Sequence, residues 1–142
     1  MSHAADFPYP VPEPGTEPFW EGCNAERLLM QRCNACRKLR WHPAPLCIWC
    51  QHEEHEWVPV SGRGRIHTWT VITHPVHPAA VDHVPYVVVE VALDEQSDLR
   101  MVSNLVDCDP VDIVMDAAVE VCFRRHASGQ KLPVFRLVHR NT

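Results

Sequence analysis

Four cysteines set in two Cys-x-x-Cys pairs are the feature that most constrains how this chain can fold. Cys33 and Cys36 form the first pair, Cys47 and Cys50 form the second, and ten residues separate the pairs. Each two-residue insert lets both thiolates point at one ion, and residues 37–46 can turn back as a hairpin that delivers the second pair. The spacing therefore predicts a zinc ribbon.

The all-sulfur donor set indicates a structural metal. A closed shell of four thiolates leaves no position for water or substrate and suits Zn(II), although iron in a rubredoxin-type site is an alternative. A redox dithiol or a disulfide is the competing interpretation for a single pair. Two pairs in a chain without a secretory signal favour metal binding instead. We expect the metal to serve as a scaffold and not in catalysis.

Composition limits the classes of protein to consider. The chain has 142 residues, of which 46% are hydrophobic, enough for one ordinary core and a small metal-stapled module. Its 13 basic and 18 acidic residues give a net charge of −5, which lacks the positive field typical of nucleic-acid binding. No apolar run approaches the ~20 residues of a membrane span, and the first residues do not resemble a signal peptide. We expect a cytoplasmic protein that contacts neither nucleic acid nor membrane.

The first 26 residues are predicted to be an extended arm followed by a short helix. Residues 7–18 contain five prolines, which fix φ and remove backbone donors, so early helix or sheet is disfavoured. Thr16 is placed to cap a helix whose first turn holds Pro18. The predicted domains are an arm with an aromatic helix over residues 1–26, a zinc ribbon of three short strands over 27–60, and a β domain over 61–142.

The β domain is predicted from a hydrophobic period of two. Apolar and polar residues alternate over 66–72 and again over 86–93. Three further strands are predicted over 99–105, 118–124 and 132–138, with a brief helical segment at 109–112. Five short strands with one interruption fit a small closed barrel of OB type, and a short β-sandwich is the alternative. The predicted fold class is mostly β: a helical arm, a rubredoxin-like zinc ribbon and a five-stranded OB-fold barrel.

Short motifs along nearly the whole chain after residue 16 carry a resemblance to a known family. They are Phe19-Trp20 in the leading helix, residues 29–36 and 45–50 around the cysteine pairs, residues 61–66 and 68–71, Val84-Pro85-Tyr86, Asn104-Leu105-Val106 and residues 132–136. Together they resemble the zinc-ribbon/OB-fold acyl-CoA-associated proteins. One departure is that Arg37 and Gln51 stand where that family often has glycine. A non-glycine residue in a left-handed turn costs on the order of 1 kcal/mol, which four thiolates should outweigh.

The resemblance implies a function for the chain as part of a complex. Members of that family are small non-catalytic subunits paired with thiolase-superfamily enzymes that form or cleave carbon–carbon bonds in acyl-CoA substrates. Some members instead accompany acyl-CoA hydratases of the hot-dog fold. The implied partner is therefore a thiolase-superfamily protein in a hetero-oligomer, with acyl-CoA as the ligand of the complex and catalytic groups supplied by the partner.

Basic residues interleaved with apolar ones are candidates for binding coenzyme A. Arg63 and Arg65 bracket Gly64, where the missing side chain lets an anion approach the backbone. Arg124, Arg125 and Arg136 lie on later strands that a five-stranded barrel could bring near them. The alternative interpretation is a set of solvated guanidinium groups. The candidate ligand-binding residues are Arg63, Gly64, Arg65, Trp69, Arg124 and Arg125.

Aromatic residues clustered in or beside the ribbon are candidates for binding a protein partner. The ribbon is too small to bury five large rings behind one ion, and aromatic residues left at a surface are typical interface anchors. The candidates are Phe19, Trp20, Trp41 and Trp49. The alternative is that the ribbon folds against the barrel and buries most of these rings. In the barrel, Trp69 is either a core residue or a platform for adenine or an acyl chain.

The remaining reactive side chains give little support for catalysis by this chain. Cys108 lies between two aspartates, whose charge disfavours a thiolate. His74 and His77, with His83 nearby, could form a second metal site or a base, but a solvated surface loop is the default interpretation. A single-stranded nucleic-acid-binding module is the alternative of a different class, since ribbons and OB barrels both occur there. The net negative charge disfavours it, and we expect no catalytic residue.

Overall fold

A three-stranded ribbon sheet is joined to a closed five-stranded barrel in the computed structural model, which describes residues 7–138. Residues 1–6 and 139–142, at the ends of the predicted arm and β domain, lie outside the described residues. The elements are α1 (Glu17–Asn24), β1 (Leu29–Cys33), β2 (Leu39–Arg40), β3 (His55–Pro59), β4 (Arg63–Ile72), β5 (Tyr86–Leu93), β6 (Arg100–Val106), β7 (Ala118–Arg125) and β8 (Lys131–Leu137). The predicted mostly-β fold class is confirmed.

Helix α1 begins where the sequence predicted, but Thr16 does not cap it with its side chain. The Thr16 Oγ1 accepts from the Glu13 backbone N–H at 2.9 Å and donates to the Glu13 carbonyl at 2.8 Å. Thr16 is therefore the N-cap residue as predicted, but its hydroxyl is used by the turn that leads out of the arm and makes no capping hydrogen bond. No helix within residues 7–138 has the length and apolar character needed to cross a membrane.

The ribbon is an antiparallel sheet of order β2-β1-β3. Its short middle strand pairs Gln31 with Arg40 on one side, and pairs Cys33 with His55 on the other. The three strands predicted around the cysteine pairs are thus all present. The first cysteine pair begins at the end of β1, which places the metal site at the end of this sheet.

The barrel has the strand order β4-β5-β6-β8-β7 and closes through β4 pairing with β7. Only β6 and β8 run parallel, and the other neighbours are antiparallel. This is the closed OB-type arrangement, so the sandwich alternative is wrong. The interior is filled by alternate residues of each strand, together with Ile113 from the segment after β6.

A β-bulge in β4 changes which residues face the barrel interior. The register with β5 shifts between Ile66 and Thr68, which leaves His67 as the extra residue. Ile66 faces inward, and after the bulge Trp69 packs partly buried against the core while Thr68 is exposed. The uninterrupted alternation expected over 66–72 was therefore wrong. Trp69 follows the core-packing alternative rather than standing out as a platform.

The turn between β5 and β6 holds the ribbon against the barrel. The Gln96 amide donates to the Leu39 carbonyl at 2.8 Å and accepts from the Leu39 N–H at 2.9 Å. This side chain therefore pairs with the outer edge of β2 as another strand would. In the same turn, Asp98 forms an ion pair with Lys38 at 2.9 Å. Two residues of one turn thus fix the position of the ribbon relative to the barrel.

The helix is fixed to the barrel by a second set of hydrogen bonds. Asn24 accepts from the Lys131 backbone N–H at 2.9 Å, and Gln130 donates from its side chain to the Trp20 carbonyl at 3.2 Å. These bonds join the last turn of α1 to the hairpin between β7 and β8. The ribbon and helix therefore do not tumble on a flexible linker.

We predict that Gln96→Ala lowers the free energy of unfolding by about 1–3 kcal/mol, because it leaves both Leu39 backbone groups without a partner in a partly buried site. Urea denaturation followed by tryptophan fluorescence measures this change. Ser97→Ala, at an exposed residue of the same turn, is the matched control and should be neutral. Equal unfolding midpoints for the two variants would contradict the role assigned to Gln96.

Candidate metal centre and surrounding surfaces

The four cysteine thiols converge at the end of the ribbon sheet. All their Sγ atoms lie within 4.8 Å of one another. Cys33 Sγ is 3.6 Å from Cys50 Sγ, and Cys36 Sγ is 3.6 Å from Cys47 Sγ. A disulfide needs about 2.05 Å, whereas a tetrahedron of metal–sulfur bonds of about 2.3 Å has edges of about 3.8 Å. The donor set therefore fits one tetrahedral ion, and the chain has a four-cysteine metal-binding cluster.

Two matching turns place these thiols. The Arg37 N–H donates to the Cys33 carbonyl at 3.0 Å, and the Gln51 N–H donates to the Cys47 carbonyl at 2.9 Å. Arg37 has a φ of 67° and Gln51 has a φ of 64°. Both are in the left-handed region, where a non-glycine residue costs on the order of 1 kcal/mol. The strain expected from the missing glycines is thus present in both turns.

The cluster is closed on one side and open on the other. Cys33 and Cys47 are buried, Cys36 is half-buried and Cys50 is exposed. Burial would raise the pKa of the Cys47 thiol, but the backbone N–H groups of Cys50 and Trp49 favour the thiolate, and its pKa falls to about 6. A thiolate is the form that binds a metal ion. An ion held here would cross-link the two turns and leave no vacant position for substrate.

The second cysteine turn carries exposed apolar side chains. Leu46 is 44% exposed, Ile48 is 68% exposed and Trp49 is 40% exposed. The Lys38 ammonium lies 4.1 Å from the centre of the Trp49 ring, which holds the indole in place by a cation–π interaction. Trp49 therefore presents a fixed aromatic surface beside the metal site.

The other candidate aromatic residues lie between the helix and the ribbon. Phe19 is only 1% exposed, and its ring centre is 4.8 Å from that of Trp20 and 4.4 Å from that of Trp41. Phe19 is thus a core residue, and its assignment to a docking surface was wrong because the ribbon, helix and barrel enclose it. Trp20 and Trp41 are half-buried and keep one face accessible.

The accessible faces of these rings line an open groove of about 460 Å³. The arm forms one wall, helix α1 forms another, and the segment after β2 forms the third. The lining residues are Pro10, Val11, Glu13, Thr16, Phe19, Trp20, Trp41, His42 and Pro43. The groove is mostly apolar, which is the character of a surface that another molecule covers.

Gly64 does not offer its backbone to an anion. A Cβ at this position would lie 2.4 Å from the Ala92 carbonyl oxygen and 2.7 Å from Val91 Cγ1. The strand around Gly64 is paired with Leu93 on one side and Val119 on the other. Its missing side chain therefore allows close packing inside the barrel, and the prediction that it admits a ligand was wrong.

The candidate arginines fall into two groups that the barrel does not bring together. Arg63 is in register with Glu120 at the start of β7. Arg124 and Arg125 lie four and five residues further along β7, which is about 13–17 Å at ~3.3 Å per residue. Arg124 is also engaged in an ion pair with Asp107. The prediction of one basic cluster was therefore wrong for Arg124 and Arg125.

Of the arginines predicted on later strands, Arg136 is the one that the barrel places in a row with Arg63. Arg136 is in register with Glu120, which is in register with Arg63, so the three side chains form a row across β4, β7 and β8. The Arg136 Nε donates to Glu120 at 3.0 Å, and Arg65 donates to the Asp116 carbonyl at 3.0 Å. Arg63 and Arg65 line an open depression of about 270 Å³. This is the part of the barrel surface where the predicted phosphate-binding residues come together.

A buried arginine in the ribbon was not found from the sequence. Arg40 is 2% exposed; its Nε donates to the Gln31 side-chain oxygen at 2.7 Å and its Nη2 donates to the Ala44 carbonyl at 2.8 Å. Gln31 also contacts His55 at 3.2 Å. Burial, and then the charge of Arg40, lower the pKa of His55. Strand alternation alone does not reveal such a site, because β2 is only two residues long.

The histidine-rich segment between β4 and β5 does not assemble a second metal site. His77 accepts from the Ala79 N–H at 3.1 Å and so caps a short 3-10 helix, and the ring of His83 contacts that of Phe7 at 4.7 Å. Within residues 7–138, the four cysteines are the one group of three or more metal-binding side chains that converge. These histidines therefore organise a loop.

The outward faces of β5 and β6 bear on the nucleic-acid alternative. Outward positions include the register pairs Val88 with Asn104 and Glu90 with Val102. Tyr86 is the one aromatic residue in the two strands, and Arg100, the one basic residue, lies 3.6 Å from Glu90. Single-stranded nucleic acid requires several aromatic platforms and a basic groove. This face therefore does not favour the interpretation of the chain as a nucleic-acid-binding module.

Comparison with family models matches both modules. The ribbon matches the model described as "ChsH2, rubredoxin-like zinc ribbon domain" over residues 20–56. The barrel matches "ChsH2, C-terminal OB-fold domain" over residues 57–124. A solved structure titled "Ltp2-ChsH2(DUF35) aldolase" contains a chain that superposes with a TM-score of 0.81 at 34% identity, covering 91% of this chain and 98% of that one.

Curated relatives agree with this assignment. A "DUF35 domain-containing scaffold protein" of Methanocaldococcus jannaschii is 32% identical over 102 residues, which cover 69% of this chain and 68% of that protein. A "Probable enoyl-CoA hydratase alpha subunit" of Thermomonospora curvata is 38% identical over 119 residues, which cover 83% of this chain. This chain spans only 36% of the length of that relative.

We predict that the purified protein holds about one zinc ion per chain and that Cys47→Ser loses it, because three thiolates bind the ion much more weakly than four. Elemental analysis by plasma mass spectrometry measures the metal. Cys122→Ser removes a half-buried thiol outside the cluster and is the matched control. Unchanged zinc in Cys47→Ser would contradict the assignment, and iron in the native protein would select the rubredoxin-type alternative.

Proposed function

The chain belongs to the ChsH2 (DUF35) family of zinc-ribbon and OB-fold proteins, and from this premise we propose that it is a non-catalytic accessory subunit. It binds an acyl-CoA enzyme of the thiolase superfamily and helps to form that enzyme's acyl-CoA site. The observation that carries the proposal is the likeness to the ChsH2 chain of the aldolase complex, which extends over 98% of that chain and so includes ribbon, helix and barrel together.

The free thiols of the chain support a non-catalytic role. Burial raises the pKa of Cys23 to about 12. Burial and the charges of Asp112, Asp109 and Asp107 raise the pKa of Cys108. Neither thiol is suited to act as a nucleophile at neutral pH. The proposal therefore assigns the reacting cysteine and histidine to the partner, and seven cysteines without a disulfide support a reducing, cytoplasmic location.

The aromatic surfaces beside the metal support docking to a protein. Trp49 stands at a turn fixed by the four thiols, and Trp20 and Trp41 line the groove between arm and helix. The buried Phe19 ring contacts both the Trp20 ring and the Trp41 ring. Pre-positioned aromatic side chains are the usual anchors of protein interfaces because little side-chain entropy is lost on binding. In the proposed complex, the partner covers Trp20, Trp41 and Trp49.

The barrel side of the proposal concerns the phosphates of coenzyme A. Arg63 and Arg65 on β4 and Arg136 on β8 are exposed on the two sides of β7, where Arg136 is paired with Glu120. Guanidinium groups bind phosphate through charge and paired N–H donors. The depression beside Arg63 and Arg65 is open, so the partner has to supply its opposite wall. A complete site would exist only in the assembled complex.

A second candidate function is favoured by one relative. The protein of Thermomonospora curvata is named a probable enoyl-CoA hydratase alpha subunit, and its match covers 83% of this chain. The corresponding alternative is an accessory subunit of a hot-dog-fold acyl-CoA hydratase. Both candidates share the acyl-CoA substrate class and differ in the partner's fold and reaction.

Co-purification from the native host decides between the two candidates. An affinity-tagged chain is isolated at low salt, the bound protein is identified by mass spectrometry, and the complex is assayed for carbon–carbon cleavage and for hydration of acyl-CoA. A thiolase-superfamily partner supports the first candidate and a hot-dog-fold partner supports the second. A solitary chain that turns over acyl-CoA by itself would overturn both.

We predict that Trp49→Ala weakens the complex at least tenfold, because it removes an exposed anchor without cutting into the core. The dissociation constant, measured by isothermal calorimetry with the purified partner, reports the effect. Tyr9→Ala is the control, since Tyr9 is a similarly exposed aromatic residue on the arm, 49% against 40% exposed. If the two variants bind equally well, the interface lies elsewhere.

We predict that Arg63→Ala with Arg65→Ala raises the KM of the complex for acyl-CoA several-fold and leaves kcat nearly unchanged, because ground-state phosphate binding is lost. Arg125→Ala is the charge control, as it removes an exposed guanidinium at the far end of β7. Steady-state kinetics with the CoA ester and with the corresponding pantetheine thioester, which lacks the phosphates, separate phosphate binding from acyl binding. An unchanged KM would indicate that Arg63 and Arg65 are solvated surface charges that do not bind the phosphates.

A further inference from the structure

We propose that the β6–β7 loop (residues 107–117) is a second protein-docking surface, built for a partner whose contact face is apolar at its centre and carries lysine or arginine residues around it. This inference goes beyond the proposed function, because it requires a protein partner but does not depend on that partner's reaction or on acyl-CoA. It rests on the rigidity of the loop, its exposed apolar side chains and its charge.

The loop is rigid. Ile113 is 6% exposed and belongs to the barrel core, which anchors the middle of the loop. The Asp112 N–H donates to the Asp109 carbonyl at 2.9 Å, and the Asp116 N–H donates to the Ile66 carbonyl of β4 at 3.0 Å. The side chains between these points are therefore held in fixed positions. Their exposure is a property of the folded loop and does not come from fraying.

Three large apolar side chains project from this loop. Val111 is 79% exposed, Val114 is 60% exposed and Met115 is 64% exposed. An open depression of about 380 Å³ lies beside them, lined by Arg65, Asp112, Asp116, Ala117, Ala118, Leu137 and Val138, the last of which is 40% exposed. Ile113 already packs into the barrel core, so the fold does not require apolar residues at positions 111, 114 and 115. Large apolar side chains held exposed on a rigid loop are typical of an interaction site.

Acidic residues surround the patch. Asp109, Asp112 and Asp116 are exposed, and none of the ion pairs formed within residues 7–138 includes them. Arg124 pairs with Asp107, whereas Arg65 lines the depression and donates to the Asp116 main-chain oxygen, so the three aspartates outnumber one arginine there. The rim of the patch is therefore negatively charged.

The negative charge of the rim indicates which kind of molecule can bind to this surface. A second copy of the chain would bring aspartates against aspartates, which costs binding energy. An anionic lipid surface or a nucleic acid would be repelled in the same way. A protein face with an apolar centre and a basic rim would gain both from desolvation of the valines and methionine and from complementary charge. We therefore assign the surface to a basic-rimmed protein partner.

The surface is separate from the one beside the metal. The turn that holds the ribbon precedes β6, whereas the β6–β7 loop follows it. β6 has seven residues, so the two attachments lie about 20 Å apart along the strand at ~3.3 Å per residue. No hydrogen bond or ion pair within residues 7–138 joins the loop to the ribbon. A partner that contacts only the ribbon would leave the loop uncovered.

Site-specific photo-cross-linking in the native host tests the assignment. A photoreactive amino acid replaces Met115, and the same residue at Val76, which is 82% exposed in the β4–β5 segment, is the control. We expect a covalent adduct at position 115 with a protein whose cross-linked peptide maps to an apolar face flanked by lysine or arginine, and none at position 76. No adduct at 115, an adduct with a second copy, or equal adducts at both positions would overturn the proposal.

A third probe position separates this inference from the proposed function. The photoreactive residue at Trp49 reports on the surface beside the metal. An adduct with an acyl-CoA enzyme at 49 and none at 115 would leave the proposed function standing and overturn the loop surface. An adduct at 115 with a basic-rimmed protein, together with no adduct with an acyl-CoA enzyme at 49, would support the loop surface and count against the proposed function.

The chemistry of the contact is tested with the protein cross-linked at position 115, purified and titrated against the full chain. Val114→Ser with Met115→Ser should raise its dissociation constant at least tenfold, and Asp112→Asn with Asp116→Asn should reduce the salt dependence of the association rate. The control, Val81→Ser with Asp82→Asn, makes the same changes at exposed residues outside the loop. Affinity that is unchanged in both loop variants would overturn the proposal.

Discussion

The four thiolates of the ribbon, clamped on one metal ion, are the interaction on which the rest of this structure depends. β2 contributes only two residues to the sheet, and a three-stranded sheet of this size has too little core to be stable alone. The turns at Arg37 and Gln51 add a cost on the order of 1 kcal/mol each. Apparent binding energies of about 10–16 kcal/mol for zinc in small ribbons outweigh these costs. Trp49 keeps a fixed position only while that clamp is closed.

Basic residues are concentrated after the first cysteine pair, where the chain has Arg37, Lys38 and Arg40. Arg37 pairs with Glu56, whereas Arg40 is 2% exposed and forms no ion pair with any carboxylate in the described part of the chain. Burying an unpaired guanidinium is expensive, and the hydrogen bonds from Arg40 to Gln31 and to the Ala44 carbonyl offset part of that cost. Lys38 links the second cysteine turn to the barrel, because its ammonium group contacts the Trp49 ring and pairs with Asp98.

The sequence predicted the elements and the metal ligands well, because both depend on local spacing. Every barrel strand was placed to within a few residues by its period of two, and the cysteine pairs converge as expected. Failures occurred where a distant contact decides the outcome. The bulge at His67 changed the side of β4 on which Trp69 lies. The missing side chain of Gly64 was expected to admit a ligand, but it allows close packing inside the barrel. Arg63 lies opposite Glu120, so Arg124 is four residues further along β7 and does not join it. Nothing local in the sequence shows that Gln96 pairs with Leu39.

The openness of the barrel surface explains why a chain of this kind would act only inside a complex. A small-molecule site usually buries 70–90% of its ligand. The depression beside Arg63 and Arg65 has about 270 Å³ and no opposite wall within residues 7–138, so coenzyme A bound there would remain largely in solvent. Exposed guanidinium groups in water contribute little by themselves, but they contribute much more when a second protein excludes water from the same charges. In the proposed complex, phosphate affinity would then depend on docking, and the ribbon, held against the barrel by Gln96, would set the position of the second wall.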